Sequence, residues 1–160
     1  MNRINKPSAI RLVAILAALA VSACNPAAPP EEPPLAGASI GGDFTLTGSK
    51  GQPVRWGDFA GKYRIVYFGY TFCPDICPTT LAQLRQIKSE LPKEAVDKFQ
   101  VILVSVDPNR DTPTQLKQYL GYFDPQFEGL TGANVEDVQK VSNAVSIPFI
   151  PADTSKPNYT

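Results

Sequence analysis

Two cysteines separated by three residues, in the run Cys73-Pro74-Asp75-Ile76-Cys77, are the side chains of this 160-residue chain best suited to chemistry. They fall between a run that reads as a buried strand and a run that reads as the start of a helix. A helix N-terminus offers unpaired N–H groups and a partial positive charge, which stabilise a thiolate and lower a cysteine pKa. Two soft thiolates this close suit Cu(I) far better than Mg or Ca, whereas structural zinc would ask for four protein ligands. In an oxidising compartment the same pair can cycle between dithiol and disulfide. A small structural disulfide is the plainer reading of two nearby cysteines, yet closing so short a loop adds little chain-entropy stabilisation. The chain has no histidine. Ser/His/Asp triads, Cys/His nucleophiles and His-ligated metal sites are therefore excluded for these residues.

The elements that must hold this loop can be read from periodicity. Residues 64–70 (RIVYFGY) and 100–107 (QVILVSVD) are short, nearly continuous β-branched and aromatic runs, as expected of strands buried on both faces and paired in parallel. Between them Pro78 stands where a helix would have its first residue, and Leu81, Leu84, Ile87 and Leu91 come after it at helical spacing until Pro92. A second helix is expected over residues 114–123, started by Asp111-Thr112-Pro113. A third is expected over residues 135–144, capped by Asn134 with Glu136 and Asp137 in its first turn. Residues 43–47 and 52–56, joined by a turn at 48–51, read as a β-hairpin. The order predicts a three-layer α/β fold around a central sheet. A hairpin and two buried strands alone would leave one strand partly uncovered, and residues 158–160 look like the first step of another strand; the chain is read as ending before its sheet is complete. Asp107 and Asp111 are expected to shape a turn and cap the next helix, and Trp56, Tyr63, Tyr67 and Phe68 to pack core and rim. Ile147-Pro148 reads as part of a Pro-rich loop.

The N-terminus has a different character. Arg3, Lys6 and Arg11 precede the apolar run 12–21, with no acidic residue among them. That run is about half of the ~20 residues a spanning helix needs, so an export signal is the better reading. Val21-Ser22-Ala23-Cys24 closes it like a bacterial lipobox, which makes Cys24 a lipidation site. An ordinary secretory signal or an uncleaved anchor is the alternative. Without residues 1–23, 12 Lys+Arg face 15 Asp+Glu. Such a balance, with no cationic run, gives no footprint for nucleic acid. Residues 25–34 contain five prolines and two glutamates, an extended, solvated spacer. The organisation expected is a lipoprotein signal peptide at 1–23, a Pro-rich linker at 24–37 and one domain at 38–160.

Phe68-Gly69-Tyr70-Thr71-Phe72-Cys73-Pro74-Asp75-Ile76-Cys77-Pro78, then Ser105-Val106-Asp107-Pro108-Asn109-Arg110-Asp111-Thr112-Pro113, then Leu130-Thr131-Gly132, resemble the Sco/SenC family of membrane-tethered copper proteins. The resemblance runs from about Gly42 to the end of the chain. It implies a thioredoxin-like α/β fold and copper, as Cu(I) and in the family also Cu(II), bound by Cys73 and Cys77 and one histidine. It also implies delivery of copper to the copper-bearing subunit of cytochrome c oxidase, or upkeep of that centre's thiols, from a lipid anchor on the periplasmic side of a bacterial envelope. The family's histidine would fall about three residues beyond Thr160, so the resemblance, like the sheet, implies C-terminal truncation. The competing reading is an exported thiol-disulfide oxidoreductase or thiol peroxidase in which Cys73 and Cys77 are the catalytic pair. Three intervening residues depart from the two of ordinary thioredoxin-type exchange, and Thr71 is thin support for a peroxidase.

Overall fold

The computed structural model describes Gly37, residues 40–151 and Asp153; all of these but Gly37 belong to the unit Ser39–Thr160. Strands β1 (Thr45–Gly48) and β2 (Pro53–Arg55) form the expected hairpin. A 3₁₀ turn, Trp56–Phe59, leads into β3 (Tyr63–Gly69). Helix α1 (Ile76–Glu90) and a short α2 (Lys93–Val96) connect β3 to β4 (Phe99–Ser105), which pairs with it in parallel. Then come α3 (Pro113–Gly121), β5 (Glu128–Thr131) and α4 (Val135–Ala144). The sheet order is β2-β1-β5-β4-β3, with β5 parallel to β4 and antiparallel to β1.

Strand alternation sorts the apolar side chains into two layers. Val101 and Leu103 of β4, with Ile65 and Tyr67 of β3, face Leu81 and Leu84 of α1 and Leu116 and Leu120 of α3. Ile102 and Val104, with Val66 and Phe68, face Val138 and Val141 of α4 and Phe59 of the 3₁₀ turn. β4 is thus covered on both sides, which is why its sequence is an unbroken apolar run.

Three expectations need correction. The sheet contains a strand that the sequence reading did not place: β5 inserts between the hairpin and β4. Residues 158–160 lie outside the described residues. Helix α1 begins two residues earlier than expected, at Ile76, and Pro78 is its third residue, still within the first turn where a missing N–H costs nothing. Asp111 caps no helix. Thr112 is the N-cap of α3, its hydroxyl accepting from Gln115 N at 3.2 Å. By contrast α4 starts as expected, with Asn134 Oδ1 accepting from Asp137 N at 2.9 Å. Residues 147–150 are irregular and no described peptide bond is cis.

Candidate functional site

β3 and β4 end side by side, with Gly69 opposite Ser105. The chain leaving β3 carries the dithiol, and the chain leaving β4 turns back at once, with Asp107 O accepting from Arg110 N and Asp111 N. The site therefore sits at the carboxyl ends of parallel strands, where α/β folds gather their ligands.

Cys73 and Cys77 are both buried and not joined to each other. No side-chain oxygen caps α1; Cys73 Sγ takes that place, accepting from Cys77 N at 3.4 Å. The two thiols differ. Burial alone would raise the Cys73 pKa, but hydrogen bonds from the Cys77 thiol and from the N–H groups of Cys77, Asp75 and Ile76 outweigh it and hold Cys73 below its ordinary value. Burial pushes Cys77 up, the bond to Cys73 adds to this, and the Tyr67 hydroxyl and Tyr70 N–H only partly offset it. The pair is thus one thiol held below the ordinary cysteine pKa in front of one held above it.

The approach of Cys77 to β3 depends on Gly69. A Cβ there would lie 3.1 Å from Cys77 Sγ and 3.1 Å from Tyr67 Cε1, tighter than ordinary van der Waals contact. Tyr67 packs against the α1 layer as expected and also turns its hydroxyl to Cys77 and Thr80, and burial together with the Cys77 bond pushes its pKa up to about 12. Alternation would have revealed it, because Tyr67 and Gly69 fall on the α1 face of β3. The other aromatic residues divide: Phe68 packs in the α4 layer, Trp56 packs on Phe44 and under the Arg64 guanidinium, and Tyr63 is exposed. Asp107 is paired with Arg110, whose guanidinium lies 4.8 Å from the Phe72 ring centre. Phe72 and Ile76 stand exposed beside the thiols. Among the described residues no group of three His, Cys, Asp or Glu side chains converges as a metal cage. Two sulfurs linked through one helix N-terminus are a fitting donor set for a soft, low-coordinate cation.

The SCO1/SenC family model matches residues 32–160. The chain belongs to the SCO1/SenC family. A relative in Stutzerimonas stutzeri, whose name proposes copper binding, is 44% identical over 115 residues, 72% of this chain and 56% of that protein. ScoI of Bradyrhizobium japonicum, solved with copper bound, is 40% identical with a TM-score of 0.65, covering 76% of each chain. A SCO1/SenC family lipoprotein from Bacillus anthracis str. Ames is 29% identical with a TM-score of 0.59, over 67% of this chain and 65% of that one. The mixed five-stranded sheet is the thioredoxin-like α/β fold of these SCO1/SenC structures. This chain spans little more than half the length of its Stutzerimonas relative.

Proposed function

We propose that this SCO1/SenC chain is a copper carrier that takes Cu(I) on Cys73 and Cys77 and hands it to the copper-bearing subunit of cytochrome c oxidase. The observation that carries the reading is the pair itself: two unjoined thiols at the start of α1, Cys73 Sγ in the place of the helix cap. Copper here is cargo. Soft sulfur ligands bind it tightly, the helix N-terminus favours the thiolate form, and exposed Phe72 and Ile76 leave the site's rim open to a recipient. The copper-bound Bradyrhizobium relative supports the metal, and the family resemblance supports the recipient.

Anchoring through a lipid on Cys24, on the periplasmic side of a bacterial membrane, belongs to the same proposal. It is supported by the lipobox-like ending at residues 21–24 and by the Bacillus relative described as a lipoprotein. No helix among the described residues is long and apolar enough to cross a membrane; Cys24 lies outside them. Cys24→Ser should leave the chain unprocessed or release it from the membrane fraction, and unchanged processing and partitioning would end the lipid reading.

A second reading has its own observation. A Cys73 thiol lowered in pKa in front of a Cys77 thiol raised in pKa is the arrangement of an attacking and a resolving thiol, and so favours thiol-disulfide exchange. Titration of the reduced chain with Cu(I) against a competing chelator separates the two. Copper carriage requires one equivalent bound, lost in both Cys73→Ala and Cys77→Ala; exchange chemistry without copper binding would leave only the second reading.

A further inference from the structure

Asp111 has no solvent exposure. Its carboxylate is filled by donors from two other segments: Thr71 Oγ1 to Oδ1 at 2.6 Å, Thr71 N to Oδ2 at 3.0 Å, and Ser105 Oγ to Oδ2 at 2.6 Å. Ser105 Oγ in turn accepts from Asp107 N at 3.1 Å. One carboxylate therefore braces the loop leaving β3 against the loop leaving β4, and Thr71 stands two residues before Cys73.

We propose that Asp111 is the positioning residue of the dithiol, a buried latch that fixes the Thr71–Cys73 backbone so that Cys73 Sγ stays over the start of α1. The loop's other holds are the Cys77 N bond to Cys73 Sγ and the Arg110 guanidinium over Phe72, and neither reaches the Thr71 backbone. Phe72 and Ile76 are exposed, and the backbone bond at Cys73 N, to Tyr70 O, is long at 3.3 Å. Thr71 is gripped at both its N–H and its hydroxyl, which fixes orientation as well as position. Asp111 is itself held by its N–H to Asp107 O at 3.0 Å. Removing the carboxylate leaves three inward-facing donors without an acceptor, which frees the loop instead of merely weakening it.

Three variants of the full chain in detergent, with two readouts, test the latch. The readouts are Cu(I) affinity against a chelator and the rate of Cys73 alkylation on its alkaline plateau, where access and not ionisation sets the rate, each taken where urea titration shows the variant folded. Only the first rests on the copper-carrier reading. Asp111→Ala should lose about 10–100-fold in Cu(I) affinity, the usual scale for an outer-shell partner, and alkylate severalfold faster. Thr71→Val, which keeps its N–H bond, should move both readouts the same way by less. Asp111→Asn should stay near wild type, because its oxygen can accept from Thr71 N and Ser105 while its NH₂ donates to Thr71 Oγ1. Stability loss in Asp111→Ala and Thr71→Val, with both readouts at wild-type values, overturns the proposal. If Asp111→Ala fails to fold, Thr71→Val decides alone. If wild type binds no Cu(I), the copper reading falls, and alkylation still judges the latch.

Discussion

The two ends of α1 carry opposite chemistry and are finished in opposite ways. At its first turn Cys77 donates its N–H to Cys73 Sγ, and no side-chain oxygen caps the helix. In its last turn, about 16 Å further along the axis at ~1.5 Å per residue, Lys88 is buried. Its ammonium donates to Asp124 Oδ2 at 2.8 Å and Gln126 Oε1 at 2.6 Å, and lies 5.5 Å from the Phe127 ring centre. Each end matches the helix dipole, thiolate at the positive end and cation at the negative. The difference lies in closure. Lys88 has its counter-ion within the fold and is finished; the thiols face one another beside an exposed apolar rim, so charge or cargo can still be added. A closed helix end is architecture, and an end capped by sulfur is available for chemistry.

The sharpest way to break this comparison is to remove a sulfur. Cys77→Ala deletes a ligand, so it should cost more Cu(I) affinity than the ~100-fold upper range of an outer-shell partner. Because it removes only a small buried group, the urea midpoint should shift little. A large loss of stability with affinity retained would make the dithiol end structural, like the lysine end.

Gly69→Ala comes next. The added Cβ meets Cys77 Sγ and Tyr67, so either α1 moves off β3 or the ring turns. Overpacking of this kind costs ~1–3 kcal/mol, read as a lower urea midpoint, with a severalfold loss of Cu(I) affinity because the sulfur is displaced. Retained affinity would mean that the dithiol end yields without consequence.

How much of this was legible depended on whether the cause was local. The dithiol at the start of a helix, the parallel pairing of β3 with β4, and the Asn134 cap are dictated by spacing, unbroken apolar runs and side-chain chemistry within a few residues. β5 was not. Four residues, Glu128-Gly129-Leu130-Thr131, are too few to show alternation and include a glycine; they are a strand because β1 and β4 stand on either side of them. A Cβ at Gly129 would lie 3.0 Å from Leu116 Cβ, so even its glycine reflects packing against α3. Asp111 misled for the same reason: Asp-Thr-Pro reads as a helix start, and only the fold brings Thr71 to the carboxylate.

At the closed end, Lys88→Met keeps the apolar stem against Phe127 and removes the charge. Asp124 is then left without its cation, but it is partly exposed and can be hydrated, so the cost should be about 1–2 kcal/mol, short of that for a fully buried orphan charge. Cu(I) affinity should be unchanged. If affinity fell with stability, the two ends of α1 would be coupled and the contrast between them lost.

The smallest effect distinguishes the thiols themselves. A thiol reacts as its thiolate, so its alkylation rate climbs as pH rises through its pKa and then levels off. Cys73 is held below the ordinary cysteine value and Cys77 above it. As pH rises from acid, Cys73 should therefore be modified first and reach its plateau while Cys77 is still gaining. Site-resolved mass spectrometry across a pH series gives both curves. Tyr67→Phe removes a hydroxyl that lowers the Cys77 pKa, so the Cys77 curve should move to still higher pH and the interval between the curves widen. Lys88→Met should move neither, since the lysine stands about 16 Å away along the axis and its charge is already offset by Asp124. Should Cys77 titrate first, or Lys88→Met shift the curves, the N-terminal bonds around Cys73 are not what sets its reactivity, and the field of the whole helix is.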